Sequence, residues 1–242
     1  TTSEFSRMNL MSNICTDTSK LGLKKKPGEY WCGTMSTMTN VRKVPRAELP
    51  LCLQEIPDPP THLYIEGGLP SHEEYMYLAV VGSRRYSSYG KEACEKLIMG
   101  LAGKPVVIVS GLALGIDSIA HKAALAAGLK TVSIPGSGLD RSVIAPSSHR
   151  RLADEIMEAG GTLVSELEPL VHATPFTFPA RNRIMAGLSR AILVVEAHER
   201  SGTLITARLA MEYNRDVLVV PGSIFSMNSV GGHRLIRNGA IP

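Results

Sequence analysis

Several features that would indicate a membrane protein or a highly charged one are scarce in this sequence. No apolar run approaches the roughly 18 residues that a membrane span needs, and the formal net charge of the 242 residues is only +4. Aromatic residues make up 5%, which is common where small and β-branched residues build tightly packed parallel sheets. We therefore expect no membrane contact. Any contact with nucleic acid has to come from a local cluster, because the overall charge is too small.

Cysteine is scarce as well. The chain has 4 cysteines, without a C-x-x-C pair and without histidines at the spacing of a zinc site. The N-terminal residues also lack the basic and apolar regions of a secretory signal. These absences argue against a disulfide framework and a metal site, and they favour a reducing cytoplasm. We expect neither a metal nor another cofactor.

The hydrophobic pattern divides the chain in two. Residues 1–47 show no sustained hydrophobic period, so we predict that they form a flexible leader. We expect the lysines at 24–26 to be solvated, and residues 1–8 could derive from an expression vector. Residues 48–242 are predicted to form one domain. Short β-branched runs alternate there with segments of helical spacing. The predicted strands are 63–65 at a sheet edge, then 78–81, 106–109, 131–134, 162–165, 191–196 and 217–220.

The predicted helices fall between these strands, at residues 89–101, 116–127, 150–159, 181–188 and 201–214. Strands and helices that alternate in this way predict an α/β fold with a doubly wound, mostly parallel sheet and helices on both faces. The ligand site of such a sheet lies beyond the carboxyl ends of its strands. The residues that directly follow the strands are therefore the candidates for function.

Small, hydroxyl-bearing loops follow several of the predicted strands. The loop from Ser110 to Gly115 reads Ser-Gly-x-x-x-Gly, which is neither a dinucleotide fingerprint nor an ATPase loop, but predicts an anion site at a strand end. Glycines let a ligand approach the backbone, hydroxyls donate to phosphate oxygens, and arginine supplies a bidentate charge. The candidates at this rim are Gly82, Ser83, Arg84, Ser110, Gly111, Gly115, Gly136, Ser201, Gly202 and Thr203.

Each of these loops also has a purely structural interpretation. Glycine after a strand is ordinary turn chemistry, and Ser201 or Thr203 could serve only to cap its helix. Asp117 complements the dipole of the predicted helix, with His121 one turn later on the same face. An acid–base pair of Asp117 and His121 is conceivable, but we favour internal contacts that support the loop.

A second cluster lies where a loop becomes a helix, at residues 176–187. Arg181 and Arg183, with Asn182 between them, could bind successive phosphates or a base edge, while Phe176 or Phe178 could stack on a base. The structural alternative is that the phenylalanines belong to the core and the arginines form surface ion pairs. The sequence alone leaves both interpretations open.

These motifs belong to a longer series in a fixed order. The series is Val81-Gly82-Ser83-Arg84 with Tyr89-Gly90, Ser110-Gly111-Leu112-Ala113-Leu114-Gly115-Ile116-Asp117 with Ala120-His121, Gly136-Ser137-Gly138-Leu139-Asp140, Ser165-Glu166, Phe178-Pro179-Ala180-Arg181-Asn182-Arg183-Ile184, Val195-Glu196-Ala197, Ser201-Gly202-Thr203-Leu204-Ile205-Thr206-Ala207 and Val220-Pro221-Gly222. Over about residues 50–240 the chain resembles the DprA/Smf family of DNA-processing proteins.

The resemblance implies an extended Rossmann-like domain that binds single-stranded DNA without hydrolysing it, and therefore no enzyme. It further implies protection of incoming DNA in natural transformation, loading of a RecA-type recombinase, and a homodimer. By motif, Arg84 would be the main phosphate contact. Arg181, Asn182 and Arg183 would line the same pocket with Phe178. The Ser110-Gly111 and Ser201-Gly202-Thr203 loops would offer backbone N–H groups.

The sequence also departs from the family's pattern. His233 stands where the family usually has Asn, and residues 144–149 lack its usual Tyr-Pro and Asn. The family's preceding helical domain and following winged-helix domain are not recognisable. Two other functions therefore stay in view: a sensor of a small nucleotide signal, and an enzyme similar to the phosphoribohydrolases. The phosphoribohydrolases carry a Pro-Gly-Gly-x-Gly-Thr loop followed by a catalytic Glu. The nearest equivalents in this chain are Pro135-Gly136-Ser137-Gly138 and Pro221-Gly222-Ser223, and neither continues in that way.

Overall fold

The domain starts earlier than the sequence predicts. The computed structural model describes residues 40–242, so most of the predicted leader, with its lysines, lies outside the described residues. Val41–Pro45 form strand β1, which pairs antiparallel with the next strand and places Val44 in the core opposite Leu63. For residues 41–47 the prediction of a flexible leader is wrong, because a single buried valine in a polar segment is too weak a periodic signal.

One eight-stranded sheet organises the described residues. All seven predicted strands are confirmed, with ends shifted by a few residues. The edge position predicted for residues 63–65 is wrong, because β1 pairs with their outer side and is itself the edge strand. Their order across the sheet is β1-β2-β6-β5-β4-β3-β7-β8, parallel except for the antiparallel pairs β1–β2 and β2–β6. The strands after β1 are β2 (His62–Glu66), β3 (Met76–Gly82), β4 (Val106–Ser110), β5 (Lys130–Ser133), β6 (Thr162–Ser165), β7 (Ala191–Val195) and β8 (Asp216–Val219).

Helices cover both faces of this sheet, as predicted. They are α1 (Leu51–Gln54), α2 (Ser88–Met99), α3 (Ile116–Ala126), α4 (Arg150–Glu158), α5 (Thr177–Leu188), α6 (Thr203–Glu212) and α7 (Val230–Arg237). Helices α2 and α3 pack on one face and α1, α5, α6 and α7 on the other. No helix within residues 40–242 is long and apolar enough to span a membrane.

Burial on both faces explains why the strands read as continuous apolar runs. In β3, Leu78 and Val80 point into the core beneath α2 and α3, whereas Ala79 and Val81 point into the core beneath α5 and α6. A strand covered on both sides has no polar face, so its sequence does not alternate.

The strand order creates a crevice where the candidate residues lie. From β3 the chain moves outward through β4, β5 and β6, and it then returns to place β7 on the other side of β3. Strand β3 is therefore the point where the winding direction reverses. In doubly wound sheets, ligands bind beyond the carboxyl ends of the strands at this point.

Candidate nucleic-acid interface

The loop that follows β3 presents two arginines to solvent. We call residues 82–87 the arginine loop. The N–H of Ser83 donates to the carbonyl of Val195 on β7 at 3.3 Å, and the Ser83 hydroxyl oxygen accepts the N–H of Arg85 at 3.0 Å. Ser83 is buried, whereas Arg84 and Arg85 are exposed. The serine therefore anchors the loop, and the arginines are the groups that can meet a ligand.

The N-terminus of α3 packs directly beneath the arginine loop. Gly115 has φ of +87°, and a Cβ there would collide with the Ser83 carbonyl oxygen and lie 2.7 Å from Arg84 Cα. The next N–H, of Ile116, donates to the same carbonyl at 3.2 Å. Gly115 is thus required by the left-handed backbone and by close packing. Its predicted contact with DNA becomes a supporting role for the loop that carries Arg84.

The Ser110–Gly111 loop binds an anion, but the anion is the chain's own. The hydroxyl of Ser110 is buried and donates to the Val80 carbonyl at 2.7 Å, and the N–H of Gly111 donates to Asp117 Oδ2 at 3.1 Å. The expectation that this loop offers free N–H groups to phosphate is therefore wrong at Gly111. The sequence could not tell an external phosphate from an internal carboxylate, since both satisfy the same donors.

Asp117 and His121 make separate internal contacts. Burial raises the pKa of the Asp117 carboxyl above its ordinary value, an effect opposed by the charge of Arg181. His121 Nδ1 lies 2.8 Å from Thr131 Oγ1, whose hydroxyl donates to the Ile108 carbonyl, so the ring nitrogen is the donor to Thr131. Burial lowers the pKa of His121 to about 3. The preferred interpretation of both residues as supports is confirmed.

Arg181 is buried, which contradicts its predicted contact with phosphate. Its guanidinium covers the α-carbon of Gly111, where a Cβ would overlap it, and Nη1 donates to the Ile134 carbonyl. Burial lowers its pKa to about 10, against the opposing attraction of Asp117. We call Gly111, Asp117, His121 and Arg181 the buried cluster. It fastens the ends of β4 and β5 to α3 and α5.

Arg183 is also committed to internal contacts. Its Nη2 lies 2.7 Å from both carboxylate oxygens of Glu166, and its Nε lies 3.1 Å from Asp58 Oδ2. The ion-pair interpretation is thus confirmed for Arg183, and its predicted phosphate contact is wrong in this conformation. Asn182 lies half-buried between the two arginines.

Phe178 is the member of this segment that joins the exposed arginine loop. Its ring covers Gly136, where a Cβ would lie 2.5 Å from Cδ1. The guanidinium of Arg84 lies over the same ring, 5.3 Å from its centroid, as in a cation–π contact. We call Gly136, Phe178 and Arg84 the platform. Phe176, two residues earlier in the chain, is 85% exposed.

The hydroxyls of the loop after β7 make internal contacts, but the predicted capping role is wrong, because the N-cap residue of α6 is Gly202 and no side chain caps the helix. The Ser201 hydroxyl oxygen accepts the N–H of Thr203 at 3.2 Å, and the Thr203 hydroxyl donates to the Gly82 carbonyl at 3.1 Å. The two hydroxyls therefore tie α6 to the end of β3. Gly202 is exposed, and a Cβ there would meet open space. Of Ser201, Gly202 and Thr203, only Gly202 is exposed and leaves room for a ligand.

Glu196 is a further functional candidate. It lies in one of the sequence motifs, but no role was predicted for it. It directly follows β7, has φ of +55° and is 7% exposed. Its carboxylate accepts the N–H of Ser87 at 2.8 Å and the Ser87 hydroxyl, while Asn228 donates to the Arg85 carbonyl at 3.0 Å. Glu196 and Asn228 thus hold the far end of the arginine loop. The feature of the sequence that could have indicated this role is the position of a carboxylate residue directly after a buried strand.

The geometry brings together an exposed charge, an aromatic face and a closely packed glycine at the crevice. Residues 40–242 contain no group of three or more His, Cys, Asp and Glu side chains placed to hold a metal. Arg84 can pair with a phosphate while Phe178, or the exposed Phe176, offers a surface for a base. The arrangement is suited to binding a strand whose bases are accessible.

Comparison with known proteins shows the family to which the chain belongs. The family model described as DNA recombination-mediator protein A matches residues 41–242. Protein Smf of Escherichia coli is 47% identical over 184 residues, which cover 76% of this chain and 48% of that protein. DNA processing protein DprA of Streptococcus pneumoniae is 48% identical over 191 residues, covering 79% and 66% respectively. The chain therefore spans about half to two thirds of the length of these relatives.

Two solved structures share both sequence and fold with this chain. The DNA processing protein A of Streptococcus pneumoniae superposes with a TM-score of 0.78 at 44% identity, covering 84% of this chain and 70% of that one. The DNA processing protein A of Helicobacter pylori, solved for insights into its single-stranded DNA binding mode, gives a TM-score of 0.75 at 30% identity and covers 85% and 91%. The extended Rossmann-like fold that the resemblance implied is confirmed.

Proposed function

The chain belongs to the DNA recombination-mediator protein A family, and from this premise we propose that it is a single-stranded DNA-binding protein. The observation that carries the proposal is the platform at the sheet's reversal point. Arg84 is exposed there and lies over the ring of Phe178. A phosphate on the guanidinium would bring the adjoining base to the aromatic surface, and only a strand with unpaired bases can use both groups.

The finer function follows from the family and its relatives. We infer that the protein protects incoming DNA and helps to load a RecA-type recombinase in natural transformation and recombination. We further infer that it acts in the cytoplasm as a homodimer. The names of the family and of its relatives, which describe recombination mediation and DNA processing, support the role in recombination.

The acidic and basic side chains near the platform favour binding of DNA without catalysis. The Asp117 carboxylate accepts the N–H of Gly111, and His121 donates to Thr131. Both residues are buried, so neither can act directly on a strand bound at the platform. We therefore infer that the protein is not an enzyme.

The nucleotide-processing alternative is weakened by the packing of the loop after β5. A ligand phosphate would need the backbone of Gly136, but the Phe178 ring already lies against its α-carbon. At Gly138, a Cβ would collide with the carbonyl oxygens of Glu168 and Pro169. These glycines are required by protein packing. Calorimetry that compares mononucleotides with oligonucleotides separates a nucleotide sensor from a DNA binder, because only the binder gains affinity with length.

The decisive test replaces Arg84 and measures affinity for oligothymidylate at several salt concentrations. Loss of a charge-assisted phosphate contact should weaken binding by about tenfold or more in Arg84→Ala. It should also reduce the slope of log K against log salt by about 0.7, the value for one single-strand phosphate. Arg42→Ala is the matched control, since Arg42 is an exposed arginine on β1, at the other side of the sheet. Equal affinity of Arg84→Ala and the parent would disprove the site.

A further inference from the structure

A cluster of exposed apolar side chains lies on a loop that contacts the arginine loop. The loop of residues 221–229 follows β8 and presents Ile224, Phe225 and Met227 to solvent, with exposed fractions of 77%, 91% and 60%. The loop has a defined conformation, because the Phe225 N–H donates to the Ser223 hydroxyl oxygen at 3.2 Å and the Ser229 N–H to the Ser226 carbonyl at 3.0 Å. Three large apolar groups held in solvent by such a loop call for a partner.

The 221–229 loop is joined to the arginine loop by side-chain hydrogen bonds. Asn228 Nδ2 donates to the Arg85 carbonyl at 3.0 Å, and the Tyr89 hydroxyl donates to the Pro221 carbonyl at 2.6 Å. Tyr89 follows the arginine loop at the start of α2, and its side chain is half exposed. The exposed arginines and the exposed apolar loop therefore form one continuous surface.

A cleft of about 590 Å³ lies between the two loops. It is lined by Ser87, Tyr89, Glu196, Pro221, Gly222, Ser223, Ser226 and Ser229. The lining combines an aromatic ring, several hydroxyls and a carboxylate, and it includes no arginine or lysine. Such a lining disfavours a phosphate, whereas a nucleobase is flat, uncharged and rich in donors and acceptors. The volume is ample for one nucleoside.

We propose that this cleft, together with Phe225, which lies in sequence between the cleft-lining residues Ser223 and Ser226, binds a base of the same DNA strand that occupies the platform. The proposal rests on the proposed function and extends it. Phosphates would follow Arg84 and Arg85, while one base stacks near Phe178 and another enters the cleft against Tyr89, close to the loop that carries Phe225. Stacking on aromatic side chains tolerates every base, so the cleft lengthens the binding site without adding sequence preference.

The test compares two oligothymidylates, one of about 2 and one of about 20 nucleotides, on the parent and on Phe225→Ala. The variant should bind the longer strand about tenfold more weakly and the shorter one almost as well as the parent. Leu51→Ala is the matched control, since Leu51 on α1 is 72% exposed and lies outside the cleft and the platform. Phe225 is so exposed that its removal should leave the unfolding midpoint unchanged.

A direct measurement accompanies the affinities. Long strands that carry 5-iododeoxyuridine should cross-link to Phe225 or Tyr89, as located by mass spectrometry. Unchanged affinity for both lengths would overturn the proposal, and so would cross-links confined to the platform. A changed oligomeric state in size-exclusion chromatography, with unchanged DNA affinity, would overturn it too, because the loop would then contact a second copy. Failure of the proposed function gives another result, since Arg84→Ala would then bind both lengths like the parent.

Discussion

The platform and the buried cluster each contain an arginine from the same series of motifs, yet the two arginines have different surroundings. Arg84 is exposed and lies over an aromatic ring, whereas Arg181 is buried against Gly111 and interacts with Asp117. Only Arg84 can exchange its contacts with water for contacts with a ligand. The comparison teaches that a motif marks which residues matter together, while burial decides which of them can bind.

The largest effect that this comparison predicts is on stability, at Arg181. Replacing it by alanine leaves the Asp117 carboxylate buried without its cation, which should lower the free energy of unfolding by about 3–5 kcal/mol. Arg84→Ala should stay within about 0.5 kcal/mol of the parent, because its side chain is exposed. Urea denaturation of the two variants measures the difference. Equal stabilities would remove the distinction between platform and buried cluster.

A double variant checks the cause of that loss. Asn at position 117 keeps an oxygen that can accept the Gly111 N–H but carries no charge. The combination Arg181→Met with Asp117→Asn should therefore recover part of the stability that Arg181→Met alone loses. If the two losses simply add, the charges of these residues are not coupled.

The next largest effect concerns pH and His121. Burial lowers the folded-state pKa of His121 to about 3, below its ordinary value of 6.5. Its contribution to stability is complete above pH 6.5 and is lost as the pH falls toward 3, because the unfolded chain takes up the proton first. Between pH 7 and about 4.5 this group alone should cost about 2–3 kcal/mol.

Variants at two histidines isolate this effect. Urea unfolding at both pH values should show a smaller acid-induced loss for His121→Gln, by about 2–3 kcal/mol, than for the parent. Asp117, whose pKa is raised by burial, acts in the opposite direction, but it is present in every protein compared. His198→Gln is the control, because His198 is exposed. An unchanged pH dependence in His121→Gln would place the titrating group elsewhere.

The smallest predicted effect on stability is at Arg183. Its guanidinium is mostly buried and contacts Glu166 and Asp58. Arg183→Gln should lower stability by about 1 kcal/mol and leave DNA affinity within about twofold of the parent. Glu166→Gln breaks the stronger of these contacts from the other side and should match it. A large loss of affinity for DNA without a loss of stability would instead support the predicted phosphate contact of Arg183.

The candidate site was predictable in part, and the reasons differ from residue to residue. Arg84 and Phe178 were identified because an arginine after a buried strand and an aromatic residue before a helix suit phosphate and base. Gly115 and Gly136 were identified for a ligand, but their α-carbons are covered by protein atoms. Glu196 was given no role, because its partners at Ser87 and Asn228 are far away in sequence.

Strand β1 and helix α7 show the corresponding limit for the fold. The eight residues of α7 include two adjacent glycines, Gly231 and Gly232, which are poor helix formers in isolation. Strand β1 carries one buried valine among exposed residues. Both elements are stabilised by contacts with distant parts of the chain, which a local pattern does not contain.

The sequence by itself determined the alternation of buried strands and helices and the place of glycines and hydroxyls at strand ends, because apolar periodicity and turn chemistry are local properties. Tertiary structure alone decided that β7 returns to lie beside β3, that Asp117 occupies the donor of the Ser110–Gly111 loop, and that Arg181 is buried while Arg84 is exposed. These outcomes depend on which distant groups meet and how much water they exclude. Burial and pairing between remote residues are therefore what separate a binding arginine from a structural one.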